Sequence, residues 1–238
     1  MLLDVTGMEF DSLNEKLRGN DSTVTLKGCL GQRFIAAGMK DKTITIEGIP
    51  GNALGAYLNG ASITVKGNAQ DAVGDTMNDG EIIIHGNIGD AAGYAMRGGK
   101  IFIKGNAGYR AGIHMKEYKN KVPLMIIGGM AGSFLGEYQA GGIIVVLGIN
   151  TNGKLVSNFP CTGMHGGKVF FRGEVPKDAF PKNVCLNKAS PEDMKSITEQ
   201  ITEYAEIFGY DKDEILNSPF TVATPDSNNP YKQMYVAN

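Results

Sequence analysis

The residues able to do covalent or metal chemistry are few. Cys161 and His165 stand four apart in CTGMH, a thiol and an imidazole close enough in sequence to be read as a nucleophile and its base. Such a pair needs a third group to orient the base and a pocket to hold a substrate, and a glycine-rich corner supplies neither. Cys29, Cys161 and Cys185 are odd in number and widely spaced, which matches no zinc, iron–sulfur or disulfide pattern; they read as buried, reduced thiols. His114 opens a polar insertion running to Lys121. His85 falls in a column otherwise held by Lys27, Glu47, Lys66, Lys104 and Arg172, so it is expected to face solvent. Ile126-Ile127-Gly128-Gly129-Met130-Ala131-Gly132 looks like a strand entering a phosphate-binding turn. A dinucleotide fingerprint, however, needs a helix directly after it and an acidic residue about twenty positions on. The same glycines recur along the chain, and no GxxxxGK[ST] loop is present. The sequence therefore assigns no catalytic, cofactor-binding or metal-ligating residue.

Those glycines belong to a repeat. A short alternating run ends in glycine as TVTLKG to Gly28, TITIEG to Gly48, SITVKG to Gly67, EIIIHG to Gly86 and KIFIKG to Gly105, at intervals of 20, 19, 19 and 19. It returns as PLMIIGG to Gly129, IIVVLG to Gly148 and KVFFRG to Gly173, at intervals of 24, 19 and 25, which read as repeats carrying small insertions. Each run is rich in Ile, Val, Thr and Phe and alternates with the period of a strand. A second element follows, GNAQDAVG, GNIGDAAG, GNAGYRAG and GMAGSFLG, whose end glycines define corners at Gly67 and Gly74, Gly86 and Gly93, Gly105 and Gly112, and Gly129 and Gly136. Glycine or asparagine at such corners can take positive φ, and a missing Cβ lets coils stack closely. Leu58, Met77, Met96 and Met115 form a third column, read as core filling. The fold expected is an all-β solenoid, a parallel β-helix with one strand of each coil pairing with the next, eight coils giving a rod of roughly 35–40 Å.

A single domain spans 1–238, with repeats over 20–175 and two flanks outside them. Asp11 can cap a short helix through Arg18, ended by Gly19, with Leu13 and Leu17 on one face. Ser190-Pro191-Glu192-Asp193 is a helix start, and the helix is expected over 190–210 with Met194, Ile197, Ile201, Ala205 and Phe208 as one apolar stripe, ended by Gly209. The remainder, 211–238, is punctuated by proline and reads as an extended tail held by something else. With 238 residues, 42% hydrophobic and 20% charged, the chain can bury a continuous core, and its 33 glycines are accounted for by the repeat. A formal charge of −2 with scattered Lys and Arg gives no nucleic-acid face. No apolar stretch approaches a membrane span and no leader is evident, so the cytoplasm is the expected address.

One feature points outward. Three residues before each strand-ending glycine stand Thr25, Thr45, Thr64, Ile83, Phe102, Ile126, Val145 and Phe170. The last five make an apolar stripe nearly 20 Å long, extended by Leu147 in a neighbouring column. Ile83, Phe102, Ile126, Val145, Leu147 and Phe170 are thus the candidate partner interface, with cover by the chain's own C-terminal helix left open as the other occupant.

The repeats GNAGYRAG, AMRGGKIFIKGNAG and TGMHGGKVFFRGEV, with GQRFIAAG at 31–38 and GIHMKEYKNKVP at 112–123, resemble the GXGXG domain, the C-terminal domain of the glutamate synthase large subunit. One of the formylmethanofuran dehydrogenase subunits shares the GNAG and MxGG elements. The opening GQRFIAAG, the MKEY insertion and the C-terminal helix look more like the glutamate synthase version, and the resemblance runs from about Asp4 to Asn229-Pro230-Tyr231. It implies a single-stranded right-handed β-helix and a non-catalytic, structural subunit of a glutamate-synthase-type complex. Its partners would be a glutamine amidotransferase subunit and an FMN and iron–sulfur synthase subunit, with those cofactors in the partners and none on this chain. The alternatives are a scaffold role in a formylmethanofuran-dehydrogenase-like or other amidotransferase-linked oxidoreductase, and a β-solenoid enzyme acting alone. The last would need a polar cluster at one column or a strict six-residue period, and neither is present.

Overall fold

In each glycine-ended run the alternation of β-branched residues turns every second side chain inward, and one such strand per coil stacks in register on the next. The computed structural model describes residues 1–19 and 21–227. β1 (Leu2–Asp4) starts a parallel stack that continues through β2 (Thr23–Leu30), β3 (Thr43–Ile49), β4 (Asn59–Val65), β5 (Asp79–Ile84), β6 (Lys100–Ile103), β7 (Leu124–Ile127), β8 (Ala140–Val146) and β9 (Gly166–Arg172). The outward column read from the sequence is the observed register: Thr25, Thr45, Thr64, Ile83, Phe102, Ile126, Val145 and Phe170 pair in that order. The residues on either side, such as Ile82 and Ile84 or Ile101 and Ile103, point into the solenoid and are fully buried. A second line of single parallel bridges joins Ala69, Ile88, Ala107, Ala131 and Val156. On the third side Leu58, Met77, Met96, Met115 and Met164 fill the core. Gln139 takes the place between Met115 and Met164, fully buried, with its Nε2 donating to the Gly141 and Gly142 carbonyls.

The corner glycines answer to two different physical demands. Gly74, Gly93, Gly112 and Gly136 have φ between 63° and 71°, and in the first three an added Cβ would strike a core side chain of a following coil. Gly86, Gly105 and Gly129 are not in the left-handed region; they are small because the preceding coil's Asn68, Asn87 and Asn106 lay their side-chain oxygens where a Cβ would stand. Those oxygens accept from the backbone N–H of Asn87, Asn106 and Met130 at 2.8, 2.8 and 2.9 Å. Asparagine here works through its side chain and not, as expected, by adopting positive φ. Gly67, at the head of the column, meets only an ordinary contact.

Both ends of the stack are closed by non-repeat segments. α1 (Phe10–Leu17) buries Leu13 and Leu17, and starts after Glu9 with no side-chain cap, Asp11 standing in its first turn. Asn14 binds the first corner, donating to the Phe10 and Phe34 carbonyls and accepting from Ala36 N–H. Beyond β9 come a 3-10 turn at Lys177–Ala179, β10 (Val184–Lys188), α2 (Pro191–Phe208), α3 (Lys212–Leu216) and β11 (Phe220–Pro225). The expected extended tail is therefore corrected as far as residue 227. Asp211 caps α3 by accepting from Asp213 N–H at 2.8 Å, and β11 inserts between β9 and β10, antiparallel to both. Asn229-Pro230-Tyr231 lies outside the described residues.

Gly74→Ala is expected to lower the urea midpoint, because it combines left-handed strain of about 1–3 kcal/mol with a Cβ 2.6 Å from Ile101 Cδ1. Gly7→Ala has the same sign of φ and open space, so its loss should be smaller; equal losses would mean that the corner packing contributes nothing.

Candidate interaction surface

The outward apolar stripe lies beneath α2. Phe102, Ile126, Val145, Leu147 and Phe170 are 0% exposed and Ile83 is 9% exposed, in one cluster with Ile197, Ile201, Tyr204, Ala205 and Phe208. This corrects the candidate partner interface: these six residues form the floor under an intrachain helix and are not presented at the surface of this chain. The helix is held there from both ends. Ser190 Oγ accepts from Asp193 N–H while Asp193 accepts from Ser190 N–H, a closed capping box, and Gly209 ends the helix at φ 74°. Tyr204, absent from the expected stripe, is its best-anchored residue. Its ring meets Phe102 edge-on at 5.8 Å, and its hydroxyl donates to the Ile103 carbonyl at 3.0 Å. That hydroxyl occupies the space where a side chain at 128 would begin, which is why Gly128 stands in the column that holds Lys66, Lys104 and Arg172 in other coils. Charged pairs frame the contact: Lys100 with Glu203 and Glu81, and Lys168 with Asp193 at 2.6 Å.

The residues singled out for chemistry are dispersed. Cys161 is fully buried in the solenoid core and its thiol is pushed up to about 12 by desolvation, whereas His165 turns Nδ1 toward the Gly163 carbonyl at 3.0 Å. Burial likewise raises Cys29 to about 11, and Cys185 is exposed on β10, so the expectation of buried thiols fails there. Among the described residues no three His, Cys, Asp or Glu side chains cluster as metal ligands, and no helix is long and apolar enough to cross a membrane. His85 is half-buried against Phe208, ring centroids 5.2 Å apart, and burial and then the neighbouring Lys66 and Lys104 charges lower its pKa.

A different surface carries a group of partly exposed aromatic rings. On the corner face His114 stacks on Tyr138 at 5.2 Å and meets Tyr94 edge-on at 5.9 Å. Beside them Phe134 stacks on Phe159 at 5.3 Å, with the Arg110 guanidinium 5.0 Å above the Phe134 ring. Phe159 is 59% exposed and Tyr109 55%. Sequence reasoning missed this aromatic ladder because the insertion between His114 and Tyr138 breaks their nineteen-residue spacing, and Tyr94 stands one position out of the column of His114.

Phe102→Asp and Val145→Asp are expected to destabilise the folded chain by several kcal/mol (~3 or more), read as loss of the cooperative urea transition, because each buries an unpaired charge. Near-native midpoints would put the stripe back at the surface. The hydrogen bond from Lys168, with Ser190 adding, lowers the Asp193 carboxyl from 3.8 to about 2. Its folded value is depressed, so the stabilisation is present above about pH 4 and is lost as pH falls to about 2. Asp193→Asn should be less stable at neutral pH and show a flatter decline across that window; an unchanged decline would dismiss the pairing.

Comparison with known proteins places this geometry. The GXGXG motif model matches residues 18–225. The chain is 44% identical over 250 residues to an uncharacterized protein of Methanocaldococcus jannaschii, covering 99% of this chain and 96% of that one. A chain of the formyltransferase/hydrolase complex FhcABCD of Methylorubrum extorquens, solved with methylofuran, superimposes with a TM-score of 0.67 at 19% identity. The match covers 87% of this chain and 75% of that one, and is a likeness of fold. With the motif model matched from residue 18 to residue 225, most of its length, the chain belongs to the GXGXG motif family.

Proposed function

We propose that this chain is a non-catalytic scaffold subunit of a multi-subunit cytoplasmic complex of the formylmethanofuran-dehydrogenase-like kind. The observation that carries the reading is the aromatic corner face. Tyr94, Tyr109, Tyr138 and Phe159 stand out, with the half-buried Phe134 beneath Phe159, from a rigid solenoid whose large apolar stripe is already covered from within. Aromatic residues set on a rigid frame are suited to a partner surface, since they bury area at low entropic cost. The shared fold with a chain of FhcABCD supports the choice of complex. Cysteine ligands and flavin or cluster chemistry would then belong to partners, with none assigned to this chain.

A glutamate-synthase-type assembly is the second reading, carried by GQRFIAAG at 31–38 and the insertion at 112–123. In it the same face would hold together an amidotransferase and an FMN and iron–sulfur subunit. Affinity purification of the chain from its native cytoplasm, with mass spectrometry, separates the two. Co-purifying formyltransferase and dehydrogenase chains are expected, and their loss in Phe159→Asp would place them on the corner face. Glutaminase and FMN chains would transfer the role to the second reading, and a chain recovered alone would refute both.

A further inference from the structure

The insertion that lengthens the fifth interval to 24 residues builds something the other coils lack. Tyr118 and Lys121 form a tight antiparallel bridge, each N–H donating to the other's carbonyl at 3.1 and 3.0 Å. The hairpin folds back over earlier coils: Lys121 Nζ reaches Asp79 Oδ2 at 2.7 Å and the Asn78 carbonyl at 3.3 Å, and its stem packs on Gly98. Under it lies an open cavity of about 380 Å³ lined by Tyr57, Asn59, Asn78, Arg97, Tyr118 and Lys121. Asn59, Asn78 and Arg97 each follow a core residue of the Leu58, Met77 and Met96 column, so stacking places their side chains in neighbouring coils along one line.

Arg97 is the unusual member. It makes no salt bridge among the described residues, and its Nε is buried without a hydrogen-bond partner there. A buried donor on a permanently charged group is costly to leave unpaired. The carboxylate beside the cavity, Asp79, is taken by Lys121, whose hydrogen bond leads in lowering its pKa, and among the described residues no carboxylate pairs with Arg97. What remains is a planar cationic fork, two side-chain amides and two phenol rings around a space that holds a compact molecule. A guanidinium fork matches the paired oxygens of a carboxylate or a phosphate.

We propose that the Arg97 cavity is a binding site for a small oxyanion, a phosphate- or carboxylate-bearing molecule, with Arg97 as its principal ligand and the hairpin at 118–121 as its wall. The site is independent of the scaffold role and of the partners chosen for it. Isothermal titration of the purified chain with inorganic phosphate and, separately, with succinate tests it and tells the two oxyanions apart. Saturable binding of at least one is expected, weakened roughly tenfold or more in Arg97→Gln and unchanged in Arg110→Gln, whose guanidinium lies on the corner face. Tyr118→Ala, at a residue 51% exposed, provides a second variant and should weaken binding several-fold with the fold intact. No saturable binding of either probe, binding that survives both Arg97→Gln and Tyr118→Ala, or an equal loss in Arg110→Gln would overturn the proposal.

Discussion

Every part of this molecule is subject to one distance, the spacing of about 4.8 Å at which a strand of one coil must lie on the next. At a strand the spacing is met by the ladder itself. At a corner the backbone turns away from its neighbour, and the donors left facing the next coil need partners. Asn68, Asn87 and Asn106 meet that need by accepting from the following coil, and the space their oxygens occupy obliges Gly86, Gly105 and Gly129 to have no side chain. At these three corners the recurring asparagine and glycine are thus a pair of residue types on adjacent coils answering each other.

Stacking also creates surfaces that have to be finished. A column of Ile83, Phe102, Ile126, Val145 and Phe170 on the outside of the sheet is a consequence of register, and it would be an exposed apolar stripe in a bare solenoid. α2 covers it, and the segments on both sides of α2 return to the sheet as β10 and β11. Because β11 pairs antiparallel with β9, the C-terminal end of the stack closes with a different ladder geometry from the one inside it. The polar alternation of the early coils, Thr25, Thr45 and Thr64, marks where the cover is not needed.

How far the sequence disclosed this depended on whether a feature repeats. Strand register, the Met column and the start and end of α2 were all readable, since each rests on periodicity or on a cap motif such as Ser190 with Asp193. The occupant of the stripe was not readable, because Ile197 and Ile201 fit a partner's surface as well as their own chain's, and Tyr204, which decides the matter with its bond to Ile103, sits off the purely apolar pattern. β11 was missed because proline and asparagine around it mask a strand whose partners lie about fifty residues away. The cavity at Arg97 and the aromatic corner face depend on insertions, and an insertion is where a repeat stops being informative.

A solenoid finished in this way keeps its apolar stripe for itself, so that in the proposed scaffold role only its corner face would be left for partners. Hydrogen–deuterium exchange of the isolated chain, followed by mass spectrometry, addresses this directly. Peptides of α2 and of β5 to β9 should exchange slowly and open together in one cooperative unit. Rapid exchange across α2 while those strands stay protected would mean that the helix is not a fixed part of the solenoid and that the stripe is free for another chain.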